Sequence, residues 1–285
     1  MRISDYLKSW PLYILPHHAI SRVVYRLTRI ESKRVEPVIR WFVQAFKVNM
    51  TEAVQPDISA YKTYNEIFTR SLKPELRPLA EEPMVLASPV DGTISQVAAI
   101  NAGQLIQAKG FDYSVLELLG GDANRAQPFL NGQFMTIYLS PRDYHRIHMP
   151  LAGQLVEQVY VPGRLFSVAG HTARTIPRLF ARNERVAAIF DTDFGKMALV
   201  LVGAINVAAI ETVWAGLITP PPQHDVRVDH YPDVSLAKGE EMGRFNMGST
   251  VIILLENPYW EWGSMVADQP VRMGAKLADF VGETS

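Results

Sequence analysis

The chain has 285 residues and a mass of 32.0 kDa, is 48% hydrophobic and 10% aromatic, and carries 28 Lys plus Arg against 29 Asp plus Glu with no cysteine. Length and apolar content fit one large folded domain or two small ones and exclude a disordered chain. The absence of cysteine excludes a disulfide framework, a thiolate nucleophile and cysteine-ligated zinc or iron–sulfur sites, so any nucleophile is oxygen or nitrogen.

The net charge of -1 hides an asymmetry, since residues 1–50 carry nine basic and three acidic side chains and the rest of the chain 19 and 26. A basic end on an acidic body points to a polyanionic surface as partner. No membrane span is expected. The apolar stretch between Lys8 and Arg22 is 13 residues long, interrupted by Pro11 and Pro16, and Met197 to Ile210 is a charge-free run of 14, both short of the ~20 residues that cross a bilayer. The N-terminus shows no secretory-leader pattern.

In chain order, Ile20, Val23, Val24 and Leu27 recur at helical spacing with Arg22, Arg26 and Arg29 on another face, which predicts a basic amphipathic helix over 18–30. A second helix is expected after Pro37, with Val38, Ile39, Phe42, Val43 and Phe46 apolar, and Trp10, Tyr13, Tyr25 and Trp41 add aromatics that favour a membrane interface. The same pattern also suits helices packed on the body. Short helices are expected near Tyr64 to Arg70 and after Ser114, the latter capped by Gly120 and Gly121. From about residue 85, strand-like segments recur: Gln133 to Leu139, Leu155 to Val161, Val186 to Phe190, Ala198 to Ile205 and Val251 to Leu255. Thr219 to Glu241, with Pro220, Pro221, Pro222 and Pro232, reads as a long loop. The expected fold class is α+β: a β-rich body behind an N-terminal amphipathic helical region.

Three segments carry candidate chemistry. In Ser140-Pro-Arg-Asp-Tyr-His-Arg-Ile-His-Met-Pro150, His145 and His148 are three apart. A helical turn would put them on one face and a strand on opposite faces, and the pair suits metal ligands, acid–base groups or ordinary polar residues. In Ser88-Pro-Val-Asp-Gly-Thr-Ile-Ser95, Asp91 before Gly92 reads as a turn, or as a carboxylate that orients a histidine. In Gly243-Arg-Phe-Asn-Met-Gly-Ser-Thr250, a glycine precedes two hydroxyl residues at a loop-to-strand junction. Without a Cβ, Gly248 leaves its carbonyl carbon open to attack by the Ser249 hydroxyl.

Together these segments resemble the pyruvoyl-dependent phosphatidylserine decarboxylases of the bacterial and mitochondrial type. The resemblance runs from Tyr13-Ile-Leu-Pro16 through Asp143-Tyr-His-Arg-Ile-His-Met-Pro150, Tyr160-Val-Pro-Gly163, Leu165-Phe-Ser-Val168, Leu179-Phe-Ala-Arg-Asn-Glu-Arg185 and Glu211-Thr-Val-Trp-Ala-Gly216 to Gly243-Arg-Phe245 and Gly248-Ser-Thr250. Two positions depart from the family pattern, Met247 where leucine is usual and Val90 where alanine is usual, and neither carries chemistry.

The resemblance implies a proenzyme cut between Gly248 and Ser249 into a large chain (1–248) and a small chain (249–285) that stay associated. It implies a self-cleavage triad of Asp91, His148 and Ser249, with Ser249 converted to a covalent pyruvoyl cofactor that forms a Schiff base with phosphatidylserine and releases CO2 and phosphatidylethanolamine. His145 is the candidate proton donor in that step. No metal, pyridoxal phosphate or nucleic acid is expected, and a homodimer is possible. Residues 1–48 are expected to bind the membrane, placing a peripheral protein on the cytoplasmic side of the cell membrane, the inner one in a Gram-negative cell, and 49–285 to form the catalytic body. The alternatives are a serine hydrolase using Ser249, His148 and Asp91, and a non-catalytic membrane-surface binding protein.

Overall fold

The computed structural model describes residues 3–108, 110–205, 209–219, 224–246 and 249–282. Met247 and Gly248, and with them one side of the expected cut, lie outside the described residues, as do Pro220, Pro221 and Pro222.

Three helices lead the chain, α1 (Ile3–Ser9), α2 (His17–Leu27) and α3 (Glu36–Phe46), followed by the short α4 (Tyr64–Phe68). The two longer helices fall where periodicity places them. Pro37 sits in the first turn of α3, where its missing N–H costs nothing, and Lys47 in the left-handed region (φ 55°) ends the helix. Thr63 caps α4 by accepting from the Glu66 N–H, and Ser114 caps α5 (Val115–Leu118) in the same way. Gly120 and Gly121, both at φ near 90°, then close α5 as expected, with the Gly121 N–H donating to the Leu116 carbonyl at 2.8 Å.

The body is β-rich. Its strands around the site are β1 (Gly92–Ala99), β2 (Gln133–Tyr138), β3 (Arg146–His148), β4 (Gly153–Val161), β5 (Arg185–Thr192), β6 (Gly195–Val202), β7 (Ile210–Thr212), β8 (Gly216–Leu217), β9 (Arg227–Asp229), β10 (Ser235–Leu236), β11 (Glu241–Phe245), β12 (Thr250–Leu255) and β13 (Pro270–Val271). Among the described residues, nine of them form one antiparallel sheet in the order β9-β4-β5-β6-β12-β2-β1-β13, with β10 also on β4. A second sheet has the order β8-β7-β11-β3. The segment 219–241 is therefore not all loop. Its two short strands, β9 and β10, complete the edge of the large sheet by pairing with β4.

All six residues of β12 are buried, as are Met197 to Val202 of β6. Strands covered on both faces lose the polar–apolar alternation of a half-exposed strand, which is why both read as unbroken apolar runs. Gly92 opens β1 where a Cβ would lie 2.5 Å from the Tyr138 carbonyl oxygen and 2.7 Å from Ile137 Cγ2, so close packing of β1 on β2 requires glycine there.

The N-terminal helices are tied to the body by polar contacts. Ser9 Oγ meets Thr175 Oγ1 at 2.6 Å, Asp5 pairs with Arg174 at 3.2 Å, and His18 Nε2 donates to the Gly163 carbonyl at 2.8 Å. Helix α2 is inverted relative to an ordinary surface helix. It buries His17 and Ser21 while Val23 and Leu27 are exposed. Around it Leu7, Trp10, Ile14, Val38 and Trp41 are also exposed, the two tryptophans by 67% and 63%. No helix among the described residues is long and apolar enough to cross a membrane.

Candidate active site

The sheet order brings the expected site residues to one end of the fold. Thr250, the first residue of β12, is opposite Tyr138 of β2 on one side and Val202 of β6 on the other, and the Leu139 N–H donates to the Ser249 carbonyl at 2.8 Å. Beyond Leu139 the chain turns tightly, because the Asp143 carboxylate accepts from both the N–H and the hydroxyl of Ser140 at 2.7 and 2.8 Å. It then returns as β3 alongside β11, where the His145 carbonyl accepts from the Phe245 N–H at 3.0 Å. Ser249 and His145 are thus anchored to the two ends of one short segment, 139–145. Asn246, just after β11, is held in place, since its N–H donates to the Ala209 carbonyl at 2.9 Å and its Nδ2 to Glu211 Oε1 at 2.9 Å.

Ser249 is fully buried and, among the described residues, its hydroxyl has no hydrogen-bond partner; the Thr250 hydroxyl and His145 Nε2 are likewise buried without one there. Leaving such a group unsatisfied costs about 1–3 kcal/mol, so the two at the head of β12 mark a place where the fold keeps polar atoms for something other than stability.

His148 ends β3 and His145 immediately precedes it, and their environments differ. His145 is fully buried against the Phe68 ring, with centroids 4.0 Å apart. Its Nδ1 donates to the Asp143 carbonyl at 2.8 Å, which leaves the Nε2 of the neutral ring with a lone pair. Burial pushes its pKa down to about 3, and the nearby Arg70 charge acts in the same direction. His148 Nδ1 donates to the Gly239 carbonyl at 2.8 Å, and its Nε2 accepts from the Tyr144 hydroxyl at 3.1 Å. Burial also lowers the His148 pKa, against opposing contributions from that backbone hydrogen bond, Glu241 and Asp91. The Tyr144 phenol is pushed up to about 12 by burial and so stays a donor.

Asp91 is near His148 without touching it. Its carboxylate is clamped by Arg77, from Nε at 2.8 Å and Nη2 at 2.5 Å, and accepts from the Met273 N–H at 2.9 Å. Arg77 is tied in turn to Glu52 at 2.8 Å. Asp91, expected to orient His148, makes no direct hydrogen bond to it, and the polar atoms of both side chains are engaged elsewhere. Asp91 acts on His148 through its charge and through the adjacent backbone, where the His148 N–H donates to the Pro89 carbonyl at 2.9 Å. His145 is therefore a neutral ring with a bare Nε2 near neutral pH, and the donor role expected of it requires that this atom first be protonated.

Sequence reasoning missed Arg77, Tyr144 and Asn246. Tyr144 is adjacent to His145, yet only the folded strand shows that it reaches His148. Arg77 lies in a stretch without periodicity or motif. An aromatic groove of about 260 Å³ opens beside the site, lined by Phe42, Phe46, Tyr64, Phe68, Tyr138 and Pro141 among others.

A family model described as phosphatidylserine decarboxylase matches residues 64–279, which include Asp91, both histidines and Ser249. The chain belongs to the phosphatidylserine decarboxylase family. A further model, described as PSD, matches residues 7–47. Curated relatives named phosphatidylserine decarboxylase proenzyme include those of Alkalilimnicola ehrlichii, 56% identical over 88% of this chain and 88% of its own length, and Bordetella pertussis, 52% identical over 98% and 96%. The relative from Pseudomonas entomophila is 52% identical over 93% of this chain and 95% of its own length.

Proposed function

We propose that this chain is a self-processing carboxy-lyase that converts phosphatidylserine to phosphatidylethanolamine and CO2 with a pyruvoyl group made from Ser249. The observation that carries the reading is the buried Ser249 hydroxyl at the start of a central strand, without a hydrogen-bond partner among the described residues. A serine hydrolase must offer its hydroxyl to an incoming substrate, whereas a hydroxyl with no exposure can still attack the peptide bond beside it.

In that attack Ser249 Oγ bonds to the Gly248 carbonyl carbon and the peptide C–N bond breaks, leaving an ester and a free amine on Ser249. Loss of the Ser249 Cα proton expels the Gly248 carboxylate, and water then replaces nitrogen, which leaves as ammonia. His148 is the proposed base. Its Nε2 carries the lone pair, and Tyr144 must release that atom before it can take the hydroxyl proton. Asp91, held in place by Arg77, stabilises the resulting imidazolium through its charge.

The buried Thr250 hydroxyl, without a partner among the described residues, is a donor that suits a carbonyl group in place of the Ser249 hydroxyl. A ketone there, conjugated to an amide carbonyl, supplies an electron sink that accepts the substrate's primary amine and delocalises the pair left when CO2 departs. The chain's own part is to exclude water, with Phe68 and the aromatic groove on one side, and to handle the proton returned to carbon. His145 is the proposed carrier, loading its bare Nε2 with a proton before delivering it.

The exposed apolar side chains of α2, and of α3 whose Phe42 and Phe46 line this groove, support peripheral attachment to the cytoplasmic face of the cell membrane, where a lipid substrate resides. After cleavage the small chain would still supply β12, hydrogen-bonded along its length to β2 and β6, which argues that the two chains stay together. Carboxyl-labelled phosphatidylserine vesicles test the function. The proposal expects labelled CO2 from the wild type and none from Ser249→Ala, whereas release of fatty acids in its place would favour the hydrolase.

A further inference from the structure

The turn that carries His145 has a second side. Pro141 lines the aromatic groove, but Arg142 and Asp143 line a separate cavity of about 260 Å³. The same division occurs at the end of α3, where Phe46 belongs to the groove and the next residue, Lys47, to the cavity. An apolar slot and a polar cavity therefore adjoin at two points of the chain.

The cavity is cationic. Five cations line it, Lys47, Arg70, Arg77, Arg142 and Arg272, against three carboxylates, Glu52, Asp91 and Asp143. Arg77 takes up Asp91 and Glu52, and Arg142 lies 3.8 Å from Asp143. Among the described residues, Lys47, Arg70 and Arg272 have no ion-pair partner, and Arg70 is the unusual one. It is only 5% exposed, its Nη1 and Nη2 donate to the Ile67 and Arg142 carbonyls at 3.4 and 2.9 Å, and its Nε has no acceptor. A guanidinium withdrawn from water whose hydrogen bonds go only to carbonyls, with one donor unused, is expensive to keep, and burial lowers its pKa although Tyr61, Asp91, Glu52 and Asp143 act the other way. An oxyanion supplied from outside would satisfy it, and the planar donor fork of arginine matches phosphate oxygens.

The geometry points to a phosphodiester site: the cavity floored by Arg70 and rimmed by Lys47 and Arg272 binds the phosphate of a membrane phospholipid whose apolar part follows the adjoining aromatic groove. Sheet register sets its distance from the chemistry. Thr93 in the cavity wall is opposite Tyr138, which is opposite Thr250, two strand spacings or about 10 Å across. That separation admits two sources for the phosphate, the substrate's own headgroup or a neighbouring anionic lipid. The inference rests on phospholipid chemistry at this site, so occupancy and catalysis are measured separately.

Binding of monomeric dihexanoyl phosphatidylglycerol to the full-length protein is measured by calorimetry for the wild type, Arg272→Ala, Arg272→Lys and Arg70→Gln, with inorganic phosphate as a second probe. Arg272 is exposed, so its variants keep the test valid should Arg70→Gln fail to fold. The expected result is saturable binding by the wild type, weakened about tenfold in Arg272→Ala by loss of a charge-assisted contact and largely restored in Arg272→Lys. Equal affinity in wild type and Arg272→Ala, no binding at all, or inorganic phosphate bound as tightly as the lipid would overturn it. Decarboxylation of dihexanoyl phosphatidylserine then distinguishes the sources. Competitive inhibition by the phosphatidylglycerol, with KM raised and kcat kept in Arg272→Ala, assigns the site to the substrate's phosphate; activation that Arg272→Ala loses assigns it to a second lipid. Both support a phosphodiester site, and a protein that binds the probe without releasing CO2 would fail only the functional reading.

Discussion

His145 and His148 are the same residue type three positions apart, and the strand between them sends one ring into the interior and leaves the other at a cavity wall beside Tyr144. Neutral His145 makes acid costly to the fold. Its folded pKa of about 3 lies below the unperturbed 6.5, so between these values the unfolded chain binds the extra proton. Stability should be unaffected by this group above pH 7 and should fall on acidification from 6.5 towards 3, by up to about 1.4 kcal/mol per pH unit. Urea unfolding against pH checks this: His145→Gln should show a shallower acid slope than the wild type, and identical slopes would refute it. The roles assigned to the two rings also separate by variant. His148→Ala should remain a single chain on a denaturing gel, whereas His145→Gln should be cut and then fail to release CO2. The histidine pair and the Gly-Ser-Thr junction were legible in the sequence because family motifs mark them. The Arg77 clamp on Asp91 was not, since the two are 14 positions apart with no period connecting them.

At the scale of elements, legibility followed burial and length. The strands β2, β5, β6 and β12 are long and buried on both faces, so their apolar runs show directly. Strands of two or three residues, such as β3, β9 and β10, have no period to read and exist because a distant partner supplies hydrogen bonds. Gly92 at the head of β1 gives a sharp test of packing. Gly92→Ala would push a methyl against the Tyr138 carbonyl and should cost about 1–3 kcal/mol in thermal or urea unfolding; an unchanged midpoint would show that β1 moves away freely. The amphipathic period of α2 was also readable, but which face it buries was not. Its hidden side holds His17 and Ser21, and its exposed side Val23 and Leu27. Replacing both Val23 and Leu27 with Glu should abolish flotation with anionic vesicles while shifting unfolding stability by no more than about 0.5 kcal/mol, as expected at exposed positions. Undiminished flotation would remove α2 from the membrane contact.

The whole molecule unites a basic, apolar-faced N-terminal end with an acidic body, and the near-zero net charge is the sum of the two. The groove between them has aromatic walls from both, Phe42 and Phe46 from α3 and Tyr138 from β2, so the proposed substrate entry and the proposed membrane contact would share one side of the fold. Covalent structure is the central claim at this scale. Residues 249–282 contribute the middle strand of the large sheet, so a cut before Ser249 would leave two chains interlocked by β12. They should elute together under native conditions and separate only in denaturant. Intact mass of the denatured protein tests this most directly. The account predicts two species for the wild type, one for residues 1–248 and one for 249–285 with a blocked N-terminus, whose masses sum to the precursor plus water minus ammonia, and one uncut 32.0 kDa species for Ser249→Ala. A single uncut species for both proteins would contradict it.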